Sequence, residues 1–357
     1  MKKTLLATAI VGALGATAAA QAATVYDQDG TKLDVYGRIA MGIAGGGPEY
    51  NSSNEKIDNG AEFVDVYSRL GLRMSHEVSR DLTAFGRVEW RFDGDERTGP
   101  SGNGRSGFKE VRQSYIGLQS DQFGTFQAGN FDAFYNQFVS KPFDWEIDRG
   151  LEFANHTKQS RGDSIGYYTP DLSGFTAFLQ LKYYSERGLT EAQQSSQGDV
   201  IAPQGGVRYA QGPVTVGLGF VEDVARGGGN AEMLYGLIGS YDITDQFSAR
   251  LGYETRDDNS LRGGGYDKVG VGGTFTTGPW AFAADIYDVD PDNSDSRTSW
   301  ALGSYYKVSS NFDVFLELQQ ADQQSITVNV FDNDEVVGVD TADGDDMYWL
   351  TGARYHF

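Results

Sequence analysis

The chain has 357 residues, with 50 acidic against 29 basic side chains, a formal net charge of −21, and no cysteine. Such an acidic balance argues against a nucleic-acid partner, which needs a basic patch, and favours cations or divalent-bridged anionic surfaces, and the missing cysteines exclude disulfides and thiolate metal sites. Past the N-terminus no apolar run reaches the roughly 18–20 residues that a spanning helix needs, while 47 glycines, 8 prolines, 20 Tyr, 21 Phe and 5 Trp suit a β-rich chain with aromatic belts.

In chain order, Lys2 and Lys3, the apolar LLATAIVGALGA and the small-residue Ala20-Gln21-Ala22 predict a cleavable signal peptide over residues 1–22. The mature chain is then residues 23–357, with 27 basic against 50 acidic residues and a net charge of −23. Alternation of period two follows from end to end. In DQFSARLGYETR, Phe247, Ala249, Leu251, Tyr253 and Thr255 oppose Ser248, Arg250, Gly252, Glu254 and Arg256. In LTAFGRVEWRFD the apolar Leu82, Ala84, Val88, Trp90 and Phe92 oppose Arg87, Glu89, Arg91 and Asp93.

The alternating segments are 32–44, 63–76, 81–93, 107–119, 124–130, 161–170, 174–185, 204–211, 213–223, 232–243, 245–256, 265–277, 279–289, 297–308, 311–322 and 345–357, sixteen in all. Tight connections such as VSRD, SDQF, QGP and TGP take turns with long ones such as AGGGPEYNSSNEKIDNGAE. That asymmetry predicts an all-β fold, a transmembrane antiparallel up-and-down β-barrel of about sixteen strands with short periplasmic turns and longer extracellular loops. Closure is required in lipid, because an open edge would leave backbone groups unpaired. At this strand number the barrel has an aqueous lumen.

Residues 131–160 interrupt the alternation with FDAFYNQFVSKPFDWEIDRGLEFANHTKQS. Its phenylalanines and Trp145 need an apolar neighbour, so this third loop is expected to fold inward and act as a constriction loop. Its run Asp144, Glu146, Asp148 is the candidate for pore-facing carboxylates, and the inward positions Arg38, Arg69, Arg112 and Arg161 are the candidate basic wall across from it. Arginine suits that role because it stays charged in any environment.

Several motifs resemble the general porins of Gram-negative bacteria, the trimeric sixteen-stranded type: ATVYDQDGTKLDVYGRI at the first strand, YSRLGLR at the second, VRQSYIGLQ at the fourth, FGTFQAGNF at the fifth, and RGDSIGYYTPDLSGFTAFLQLKYY at the sixth and seventh. The resemblance implies a homotrimer in the outer membrane, in contact with lipid and lipopolysaccharide. It also implies a basic cluster facing loop carboxylates, with Arg38, Arg69, Arg112 and Arg161 at the matching positions. The terminal RYHF resembles the aromatic signal read by the barrel assembly machinery, which gives Tyr355 and Phe357 that role. The third loop departs from the enteric Pro-Glu-Phe-Gly-Gly signature with Lys141-Pro142-Phe143-Asp144-Trp145-Glu146-Ile147-Asp148.

Other signals point to less. Asp288-Val289-Asp290-Pro291-Asp292-Asn293-Ser294-Asp295 opens like a calcium loop, but it lacks the glycine at the sixth position and the closing glutamate. With Asp332, Asp334, Glu335, Asp340 and Asp343 to Asp346, it is expected at most to hold Ca²⁺ or Mg²⁺ weakly, and no cofactor or dedicated metal site is expected. The three histidines, His76, His156 and His356, have no spacing of a metal triad or a catalytic base, so no enzyme is expected. The expected function is a water-filled channel for passive diffusion of ions and small hydrophilic solutes, mildly cation-selective. The alternative is a barrel acting mainly in surface binding or adhesion through its acidic loops; Arg161-Gly162-Asp163 spells an adhesion tripeptide but opens a strand with its arginine toward the lumen, and such tripeptides arise often by chance.

Overall fold

A computed structural model describes residues 22–95, 108–153, 161–194, 198–332 and 335–357 of the chain. The predicted signal peptide lies outside the described residues but for Ala22, as do Asp334 and the end of the third loop with His156. The strands in the first half are β1 Ala23–Gln28, β2 Thr31–Gly45, β3 Glu62–Asp65, β4 Arg69–Ser79, β5 Leu82–Arg91, β6 Glu110–Ser120, β7 Gly124–Asp132, β8 Arg161–Tyr168, β9 Phe175–Tyr184 and β10 Val200–Gln211. The second half adds β11 Val214–Glu222, β12 Met233–Asp242, β13 Phe247–Arg256, β14 Tyr266–Thr277, β15 Trp280–Pro291, β16 Arg297–Lys307, β17 Phe312–Gln320, β18 Ile326–Asp332, β19 Glu335–Ala342 and β20 Tyr348–His356.

Antiparallel neighbours run without a break from β4 to β17, then β17 pairs β20, β20 pairs β2 and β2 pairs β4, so the sheet closes on itself. The ring contains sixteen wall strands, at the sixteen places that the alternation predicts. Two hairpins lie outside that count. In the first, β1 folds back on β2 through Asp29 and Gly30, both at positive φ as a two-residue hairpin turn requires. It pairs β2 from Thr31 to Val35, beyond the stretch from Arg38 to Gly45 that β20 occupies, and so covers the seam edge that β20 leaves bare. In the second, β18 and β19 rise from the connection between β17 and β20.

Burial alternates along the wall in the opposite sense to a water-soluble protein. On β15, Phe282 and Ile286 are exposed, while Asp285 and Tyr287 are buried. On β13 it is Leu251 and Tyr253 that face out, with Arg250 and Glu254 buried. An apolar outer face and a polar inner face are stable only where the outer solvent is hydrocarbon. The described residues contain no helix long and apolar enough to cross a membrane, so the strands do the crossing.

The second wall position is split. β3 and β4 both pair β2, and between them Tyr67 adopts φ 62°, a left-handed conformation that side chains rarely take. The kink is held locally: Asp65 Oδ1 accepts the Ser68 amide at 2.8 Å, and Ser68 Oγ accepts the Ala40 amide at 2.9 Å.

After β7 the chain enters a short helix, α1 (Phe134–Phe138), and a 3-10 turn at Lys141–Phe143. Phe131, Phe134, Tyr135, Val139, Phe143 and Phe153 are buried against Phe178, Val221, Leu234, Ile238, Tyr287 and Val289 on β9, β11, β12 and β15. Burial of each such side chain is worth about 2 kcal/mol, which meets the apolar demand that the sequence of this loop poses. Glycines in the wall make the socket: a Cβ at Gly236 would fall on the Tyr135 hydroxyl, and one at Gly252 would lie 2.7 Å from the Phe153 ring.

Candidate functional site

The four predicted wall arginines come together. Arg38 and Arg69 are direct cross-strand partners between β2 and β4, and Arg69 is in turn the partner of Arg91 on β5. Arg112 sits where β6 slips register against β5, a bulge that leaves it without a directly opposite residue and turns its side chain toward Glu89. Its guanidinium meets Glu89 at 2.6 Å and Asp132 at 3.3 Å. Arg161 reaches the same Asp132 at 3.5 Å and Glu110 at 3.6 Å. These ion pairs give the Arg161-Gly162-Asp163 arginine internal partners.

The cluster extends beyond the prediction. Glu89 is fully buried and also receives Arg87 at 2.8 Å, the Tyr36 hydroxyl at 2.8 Å and Arg69 at 3.7 Å. Arg73 and Arg87 stack over the Tyr36 ring at 4.6 and 5.0 Å. Seven arginines thus gather around three carboxylates, Glu89, Glu110 and Asp132. The surplus leaves a positive patch in an acidic protein. Sequence reading placed Arg87, Glu89 and Arg91 on the polar face of their strand and went no further. The bulge that brings Arg112 to Glu89 leaves no mark in the alternation.

The three loop carboxylates separate. Asp144 is partly exposed and pairs with Lys141 at 2.6 Å, within its own turn. Glu146 is 4% exposed, and neither carboxyl oxygen has a hydrogen-bond partner among the described residues. Burial, with the Asp285 carboxylate near it, holds the Glu146 carboxyl well above the ordinary range, against the pull of Arg250. Arg250 itself is committed to Asp285 at 2.6 Å. Asp148 is the one of the three that reaches the basic side: it accepts the hydroxyl of Tyr67 and, at 2.6 Å, that of Tyr348.

The loop is pinned along its length by wall residues that sequence reading passed over. Tyr135 donates to Glu254 on β13 at 2.8 Å, and Glu317 on β17 accepts the Ile147 amide at 2.7 Å. Glu152 meets Arg297 at 2.9 Å, and Lys268 donates to the Glu152 carbonyl at 2.7 Å. Burial alone would lift the Glu152 carboxyl, but Lys268 and Arg297 together hold it below its ordinary value.

At the seam, the Gly37 amide donates to the Phe357 carbonyl at 2.8 Å, and the Phe357 amide donates back to Gly37 at 3.1 Å. The Phe357 ring fills the space over Gly37, where a Cβ would stand 2.6 Å from it. Tyr355 faces out, about half exposed, while His356 is buried beside Asp313 at 3.0 Å. His76 bonds Thr31 at 2.7 Å near the end of its strand. No group of three or more His, Cys, Asp or Glu is arranged to hold a metal among the described residues.

A family model described as Gram-negative porin matches residues 7–325. The chain belongs to the Gram-negative porins. A monosaccharide porin from Halomonas sp. is 28% identical to it, with 100% of this chain and 91% of that protein aligned. The anion-selective porin of Comamonas acidovorans shares the fold, with a TM-score of 0.69 at 17% identity over 92% of this porin and 100% of the other. OmpT of Vibrio cholerae, solved in a trimer form, gives a TM-score of 0.61 at 16% identity, over 92% of this chain and 100% of that one. Family, relatives and closed barrel together make this chain a multi-pass β-barrel of the outer membrane.

Proposed function

We propose that this porin passes ions and small hydrophilic solutes by passive diffusion through a lumen narrowed by residues 131–153, with the arginines of β2, β4, β5, β6 and β8 on one side and Asp148 on the other. The observation that carries the reading is the run of contacts from Tyr135, Ile147 and Glu152 to Glu254, Glu317 and Lys268, on the polar side of the wall. A segment held at those points occupies cross-section that solutes would otherwise use. The Halomonas relative is named for monosaccharides, so we count such sugars among the solutes.

We read the porin as mildly cation-selective, on the strength of the −23 charge of residues 23–357 and of its acidic loops. The arginine surplus at the wall opposes this, and the two are weighed by experiment. We also read it as a homotrimer, supported by the trimer form of its Vibrio neighbour. Signal cleavage after Ala22, contact with lipopolysaccharide through Ca²⁺ or Mg²⁺ at the acidic loops, and recognition of Tyr355 and Phe357 by the assembly machinery complete the proposal.

Refolded protein in a planar bilayer should give stepwise conductance, and its absence sinks the pore reading. In a salt gradient the reversal potential should favour cations; a chloride preference would put the arginine cluster in control. Exchange of Arg69 and Arg112 for alanine should enlarge the conductance and move selectivity further toward cations. If neither changes, these arginines do not line the narrow section.

A further inference from the structure

A cavity of about 370 Å³ opens beside the third loop, lined by Pro48 after β2, by Asp148 to Glu152, and by Gln319, Ala321 and Gln323 at the end of β17. That volume lies within the range of small-molecule sites. The charged groups around it are already matched. Asp148 is held by Tyr67 and Tyr348, and Glu152 by Arg297 and Lys268. Arg149 lies 3.9 Å from Asp148, with its guanidinium carbon 3.8 Å from the centre of the Tyr348 ring. Neither a cation nor an anion would find an uncompensated partner here.

What remains uncommitted is neutral. The Gln319 and Gln323 carboxamides make no hydrogen bond to another side chain or backbone group among the described residues, yet both line the cavity. Each offers a donor pair and an acceptor, and the Arg149 guanidinium adds N–H groups at the same opening. The floor is close-packed: Gly150, at φ 87°, approaches so near that a Cβ there would collide with the Ala301 side chain. Uncommitted donors and acceptors of both kinds, beside charges already paired, match the vicinal hydroxyls of a neutral polyol.

We infer that this cavity is a subsite for a neutral polyhydroxylated solute of about monosaccharide size, in which the carboxamides of Gln319 and Gln323 and the guanidinium of Arg149 hold the hydroxyls. The inference rests on the pore reading and adds to it a saturable step beside the narrow section. A weak site in the path of diffusion raises local solute concentration without trapping the solute, since conduction needs binding that is also readily released.

The test is the ion current of the refolded, full-length porin in a planar bilayer during titration with D-glucose. Glucose should reduce the current saturably and add current noise beyond its effect on bulk conductivity. Gln319→Ala and Gln323→Ala should each raise the half-saturating concentration about fivefold, the loss of one hydrogen-bonding group. Gln319→Glu, close in shape, serves if the alanine variant does not assemble, and should weaken glucose as well. A strictly linear response to glucose in the wild type, or the same half-saturation in all variants, overturns the subsite and leaves the pore intact. Absence of conductance steps altogether would overturn the pore reading instead.

Discussion

Tyr67 donates its hydroxyl to Asp148 of the third loop, while its own carbonyl accepts Arg38 Nε at 3.0 Å. One residue thus ties the acidic loop to the basic wall, and the Arg91 guanidinium lies over its ring at 4.6 Å. The left-handed backbone at this position costs of the order of 1 kcal/mol, and the bonds that Tyr67 makes in both directions offset it. The kink between β3 and β4 therefore aims a side chain at the third loop rather than merely interrupting a strand.

Removal of that hydroxyl should loosen the link and leave the ring in place. Tyr67→Phe is expected to weaken loop anchoring by about 1 kcal/mol, seen as added open-channel noise and a shift toward cations as Asp148 gains freedom. Combination with Tyr348→Phe should enlarge both effects, because Asp148 then loses its second hydroxyl. Noise and reversal potential equal to wild type in the double variant would mean that Asp148 does not contribute to the field.

Glu89 holds three arginines that would otherwise repel one another. Glu89→Gln keeps the shape and deletes the charge, so the barrel should lose about 2 kcal/mol against urea and its reversal potential should move toward anions. A variant with unchanged selectivity would place Glu89 in a structural role alone.

The strands were legible in the sequence because lipid outside and water inside impose a strict period of two, and because turn length alternates with the side of the membrane. The β18–β19 hairpin was not, since its residues 326–342 read only as a long acidic connection. The apolar demand of the third loop was legible in Phe134, Phe143 and Phe153, which had to be buried somewhere. Which carboxylate meets the basic side was not. Asp148 and Tyr348 are 200 positions apart, and Tyr135 and Glu254 are 119 apart. Pairs of that separation are set by where strands stand around the ring, and no local spacing encodes them.

The aromatic anchors of the loop should be separable from its charges. Phe153→Ala empties the socket against Tyr287, Gly252 and Gly270 and should cost the docked loop about 3 kcal/mol. Gly236→Val should displace Tyr135 from Glu254 by collision. Both variants are expected to make the segment between Phe131 and Phe153 more open to proteolysis in assembled protein, with larger and noisier conductance. Protection equal to wild type in both would show that the loop is held elsewhere.

Glu146 supplies the pH dependence. Its carboxyl is buried with Asp285 on β15, Arg250 on β13 and Glu317 on β17 facing it, two acids against one base. Burial raises its pKa above that of an unfolded chain, so the native state binds the proton more tightly. The docked loop is then most stable below the ordinary glutamate range and loses that stability as pH rises through the raised value. Single-channel records from mildly acidic to alkaline pH should show conductance and noise rising as Glu146 ionises beside Asp285. Glu146→Gln, which cannot ionise, should hold the low-pH behaviour throughout. If the glutamine variant titrates as the wild type does, the responsible acid is another one and Glu146 only fills space.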